Sequence, residues 1–221
     1  MEETLNDFED ELSDIHEDNL LTKIWFEPTA TLNYIINNCP EKFVIPLLVL
    51  GGIGRAIDRA SEKDMGDSMS TFAVLALAIT MGGLFGWITY YVYAWGMSVT
   101  GKFINGDAEP ETFRTIIAWA LVPSVCALFL LVPELLLFGD DLFTSVQVNN
   151  SLYNDYMWVA FGLIEIALGI WTLVILVKGI CLIQGFKTGK AILNLFLPIL
   201  AIVVPITVFM LLYSLLTNLM E

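Results

Sequence analysis

The sequence predicts an all-α, polytopic membrane protein, with about five transmembrane helices preceded by an N-terminal interfacial helix. Three observations predict it. Of the 221 residues, 57% are hydrophobic and only 15% charged, against about 45–50% and about 25% in ordinary soluble domains. The apolar residues form long, nearly charge-free blocks that a soluble core does not require. The stretches from Phe72 to Val99 and from Ile192 to Leu216 show no polar face, which a surface helix of a soluble bundle would need.

Residues 1–23 are read as an acidic tail. Positions 1–22 hold nine acids and no Lys or Arg, and they supply much of the net charge of −14. Leu5, Phe8, Leu12 and Ile15 recur at intervals of three and four, a stripe that would form an amphipathic helix on a basic partner surface. Without such a surface, short length and mutual repulsion favour a solvated, disordered segment.

Residues 24–40 are read as the interfacial helix that opens a membrane domain extending to residue 221. Trp25 and Phe26 suit the headgroup boundary, and Pro28 fits a first helical turn. Leu32, Ile35 and Ile36 form one apolar face, while Asn33, Asn37 and Asn38 are too polar to span. Spans are predicted near 43–58, 72–99, 115–138, 157–183 and 191–216. The first is short: its uncharged part ends at Gly54, about twelve residues or about 18 Å, against a hydrocarbon core of about 30 Å. It crosses only if Arg55 and Arg59 snorkel and the bilayer thins; otherwise it is a re-entrant half-helix. Pro123 and Pro133 in the third span, and Pro198 and Pro205 in the fifth, predict kinks.

Charge sets the orientation. With five crossings, Lys23, Lys42, Lys102, Arg114, Lys178, Lys187 and Lys190 share the N-terminal side, and Arg55, Arg59 and Lys63 face the other. The positive-inside rule then puts the N-terminus in the cytoplasm and the C-terminus outside. With four crossings the split is even and orientation is open.

Few residues suggest chemistry. Glu165 sits about two turns into the fourth span, where an unpaired charge is costly, and Glu134 follows Pro133 near the same end of the third. Together they read as a proton or cation site, or as one hydrogen-bonded acid and one interfacial acid. Gly82 and Gly86 fit a small-residue helix contact, within the chain or between protomers. Gly185 to Lys190 is no phosphate loop, since one residue is missing between the glycines and Ala191 replaces the magnesium-binding hydroxyl. Cys39, Cys126 and Cys181 have neither disulfide-framework nor zinc spacing. The single His16 sits in the tail, so no catalytic triad is predicted. No cofactor or metal is predicted, and an acidic chain is a poor partner for nucleic acid. Asn149 opens a glycosylation sequon that counts only in a eukaryotic secretory pathway.

Trp25-Phe26-Glu27-Pro28 before a polar helix and a short glycine-rich span resembles the opening of the Yip-domain family, multi-pass proteins that interact with Ypt/Rab GTPases, in its bacterial branch. Gly101-Lys102, Thr112-Phe113-Arg114 and Ala118-Trp119-Ala120-Leu121-Val122-Pro123 resemble the family's second loop and proline-bearing third span. Phe186 to Ala191, running into Pro198, resembles the loop before its last span. The Asp-Leu-Tyr-Gly-Pro signature of eukaryotic members is absent, so the resemblance does not carry Rab-type GTPase binding to this chain. It implies a five-helix domain with a cytoplasmic N-terminus, in a bacterial cytoplasmic membrane, or in ER or Golgi membranes for a eukaryotic member. The function expected is that of a non-enzymatic scaffold or adaptor, working with the lipid bilayer and with a second copy or another membrane or cytosolic protein. The alternative is a small transporter or channel for a cation, a proton-coupled solute or a lipid, built around Glu165.

Overall fold

The computed structural model describes residues 15–146 and 151–220, and every regular element among them is helical. Leu5, Phe8, Leu12 and Asn149 lie outside the described residues. In chain order the α-helices are α1 (Leu20–Phe26), α2 (Pro28–Asn38), α3 (Val44–Glu62), α4 (Thr71–Lys102), α5 (Pro110–Ala120), α6 (Val122–Ala127), α7 (Leu131–Phe138), α8 (Leu152–Gln184) and α9 (Thr188–Met220). Short 3₁₀ turns, Met65–Asp67 and Gly139–Phe143, cap one end of the bundle.

Four segments are long and apolar enough to cross a bilayer: Thr71–Lys102, Pro110–Phe143, Leu152–Gln184 and Thr188–Leu211. Large apolar side chains cover their outer surfaces, among them Phe72, Leu84, Val92, Leu163, Ile166 and Phe209. In water such a surface would drive aggregation; in hydrocarbon it is the solvated surface.

Helix α3 is not among the four, but its placement is specific. At its start, Thr115 Oγ1 donates to Pro40 O at 2.9 Å and Trp119 Nε1 donates to Lys42 O at 3.1 Å. Both donors belong to α5, the beginning of the third apolar segment. At its other end Ser61 Oγ donates to Leu142 O at 2.7 Å, in the turn that follows α7. Thus α3 and the segment from α5 to α7 run side by side in the same direction, end to end. Nineteen residues at helical rise span about 28 Å, more than its uncharged stretch alone suggested.

The N-terminal region departs from expectation. Residues 15–23, assigned by charge to the tail, are part of the folded body: Ile15 is 1% exposed, and Leu20 and Ile24 join the same core. Lys42 Nζ holds this segment down, donating to Glu17 Oε2 at 2.7 Å and to Glu17 O at 3.1 Å. That hydrogen bond to the Glu17 carboxylate also raises the Lys42 ammonium above its ordinary pKa. The predicted single helix over 24–40 is two helices broken at Glu27, with Pro28 in the first turn of α2. Its apolar face does not rest on lipid, because Leu32 and Ile35 are completely buried in the main core. Phe26, 84% exposed, and Leu21, 46% exposed, are the large apolar side chains of α1 that stay on the surface.

The third segment is also broken more deeply than a kink. Pro123 cannot donate to the carbonyl of Trp119, and α5 stops at Ala120, with α6 restarting at Val122. Pro133 deprives Phe129 O in the same way. Between them Leu128, Phe129 and Leu130 each donate to the residue three back, Val125, Cys126 and Ala127, a tightened 3₁₀ passage. By contrast α9 runs through Pro198 and Pro205 as one helix.

Candidate functional site

Three kinds of close arrangement stand out once the helices are placed. The first is the crossing of α3 and α4. A Cβ on Gly86 would lie 2.5 Å from Gly52 Cα, and one on Gly82 would lie 2.7 Å from both Gly52 O and Ile53 Cα. The Gly82/Gly86 face is therefore occupied inside the chain by Gly52. Backbones this close leave no room for a methyl group, which is how small residues let membrane helices pack by dispersion.

The second is a polar latch joining the α4–α5 and α8–α9 loops. Gln184 Oε1 accepts from Asp107 N at 2.7 Å and Ala108 N at 3.1 Å, and Gln184 Nε2 reaches Asn194 Oδ1 at 3.4 Å. Asn194, fully buried, donates to Met97 O at 3.0 Å, and Ser98 Oγ donates to Ala108 O at 2.9 Å. Gly101 and Gly106 press against the Gln184 amide, which fixes its position. Each buried amide and carbonyl here has a partner, as stability requires.

The third is a cavity of about 440 Å³ between α3, the α6–α7 segment and α8, lined by Asp58, Glu62, Glu134 and Glu165 with Ser124, Trp158 and Phe161 among others. The structure thus brings together Glu134 and Glu165, from two different spans. It adds Asp58 and Glu62, which sequence reading passed over as part of the charged end of a doubtful helix. Their spacing of four on α3 was the available signal, since such residues share a face. Glu134 reaches the cavity because the break before Pro133 starts α7 at Leu131, placing this acid in the helix's first turn, the end where negative charge is best tolerated.

Asp58, Glu134 and Glu165 are near enough to act on one another electrostatically. None of the four acids forms an ion pair or hydrogen bond among the described residues; the ion pairs there are Lys23–Glu27, Lys42–Glu17 and Arg114–Glu111. Nor does any group of three Asp, Glu, His or Cys among the described residues have the arrangement to hold a metal ion. Pro123 and Pro133 adjoin its lining residues Ser124 and Glu134, whereas Gly82, Gly86, Pro198, Pro205 and Ile15 are not part of its lining. Pro198 packs on α4, where a Cβ on Gly96 would meet it at 3.1 Å, and Ile15 is buried in the other core cluster.

Comparison with known proteins supplies the frame for these features. The family model for the Yip1 domain matches residues 22–210. No curated protein and no solved structure matches the chain. The match runs from within α1 to the distal part of α9 and includes the α3–α4 crossing, the latch and the acidic cavity. With four apolar crossings and this match, the chain is an integral, multi-pass membrane protein belonging to the Yip1-domain family.

Proposed function

We propose that the chain is a non-catalytic membrane scaffold or adaptor, of bacterial type, that organises partner proteins within the bilayer. Yip-family proteins are membrane proteins that interact with Rab GTPases and generally lack catalytic activity, so a protein partner fits the family while the transport alternative is not favoured by it. The observation that carries the reading is the distal half of α9. Every residue from 199 to 211 is exposed, including Ile202, Val203, Ile206, Phe209 and Met210. More than three turns of helix are exposed along their length, offering a side for another membrane helix to pack on.

In this reading α3 is the fifth crossing. Its N-terminal end lies in the cytoplasm, the 3₁₀ cap lies outside, and the C-terminus lies opposite the N-terminus. The seven-to-three division of basic residues supports the orientation. Single cysteines at Val203, Ile206 and Phe209, in a chain lacking Cys39, Cys126 and Cys181, test the scaffold directly by oxidative crosslinking in native membranes. The expected result is a discrete adduct, a dimer or a defined heterocomplex, strongest on one face of α9. Monomer at every position would overturn the reading.

A further inference from the structure

We propose that the cavity between α3, α7 and α8 binds an organic cation carrying more than one ammonium group, a di- or polyamine. The assignment goes beyond the scaffold reading and does not depend on it.

Four carboxylates from three separate elements line one cavity, Asp58, Glu62 and Glu165 exposed and Glu134 buried, and among the described residues no Lys, Arg or His lines it. Arg55, three residues before Asp58 on α3, is near enough to attract it but forms no ion pair with it; it lines the separate groove against α4. Glu134 is the informative member. It is 6% exposed and has no hydrogen bond or ion pair among the described residues, and it borders the cavity. Its carboxylate oxygens are not sealed off and so open to the cavity, where a positive charge would supply the partner that the surrounding protein does not.

Size and spacing select the cation. About 440 Å³ is the volume of a small-molecule pocket rather than of a bare ion. The acids share the cavity without converging on one metal-sized point, so a single positive centre would leave some of them unpaired. Separated ammonium groups on a flexible carbon chain match separated carboxylates. The methylenes between them would lie against Trp158 and Phe161, whose ring faces also attract cations.

The full chain in phosphatidylcholine nanodiscs, titrated calorimetrically with spermidine, tests this. Saturable binding is expected, weakened about tenfold by Asp58→Asn and by Glu134→Gln, as when one charged hydrogen-bonding partner is lost. Hexylammonium, with one charge and a comparable chain, is expected to bind at least about tenfold more weakly than spermidine. Thermal unfolding of both variants checks that they fold. Carbodiimide labelling of Glu134 in the parent chain, slowed by spermidine, supplies a readout that needs no variant. Absence of saturable spermidine binding, unchanged binding in a folded Glu134→Gln variant, or equal affinity for hexylammonium would each overturn the proposal.

Discussion

At residue scale the fold depends on places where atoms nearly touch. Gly86 faces Gly52 Cα, whereas its neighbour Gly83 meets only Ile53 side-chain atoms, the nearest at 3.8 Å. Adding one methyl at Gly86 forces two backbones apart; adding it at Gly83 makes an ordinary contact. Gly86→Ala should therefore destabilise the protein by about 1–3 kcal/mol, the usual cost of overpacking, while Gly83→Ala should not. Thermal unfolding in detergent separates the two. The Gln184 latch gives a second case. Gln184→Ala takes the acceptor from the exposed Asp107 N–H and the half-buried Ala108 N–H, at a cost of about 0.5–1.5 kcal/mol, the net worth of an ordinary hydrogen bond. Faster amide exchange confined to residues 106–109 is the expected signature, and unchanged exchange there would show that the latch is dispensable.

At the scale of elements, the short N-terminal helices behave as core rather than as ornament. Ile24 is fully buried beside Ile15 and Leu20. Ile24→Ala should cost about 2–5 kcal/mol by leaving a cavity, and limited proteolysis should then release residues 15–26, which the parent protects. The sequence reading missed this because charge dominates the composition of the first 22 positions. Ile15, Leu20 and Ile24 carry an apolar spacing of their own, but its continuation into α2 crosses the Glu27–Pro28 break, so no single helical period connects them. The four long apolar segments were legible for the opposite reason: hydrophobicity all round is a property of composition and needs no partner to be recognised. Prolines marked where the third segment would bend, but the depth of the break depends on the 3₁₀ passage from Val125 to Leu130. Nothing in those residue types distinguishes it from the uninterrupted path of α9 through Pro198 and Pro205.

At the scale of the whole molecule, the family and the all-helical membrane class were readable from order and spacing along the chain, whereas the acidic cavity was legible only in part. Glu134 and Glu165 announced themselves as charges in apolar surroundings. Asp58 did not, because Arg55, Arg59 and Lys63 nearby made its helix look like an interfacial end. Only the lateral packing of α3 on both α4 and the α5–α7 segment separates its two charge sets, acids to the cavity and bases to the α4 groove. That packing also bears on the number of crossings. The proposed fifth crossing rests on it, since α3 is bonded near Pro40 to the start of one apolar segment and at Ser61 to its end.

The sidedness of the two ends of α3 tests this most directly. Single cysteines at Glu41 and Ser68, both exposed, can be probed in sealed, oriented vesicles with a membrane-impermeant maleimide, in a chain whose native cysteines have been replaced. Opposite accessibility is predicted, with Glu41→Cys labelled from the cytoplasmic side and Ser68→Cys from the other. Labelling of both from the same side would contradict a crossing by α3 and remove the five-helix architecture with it.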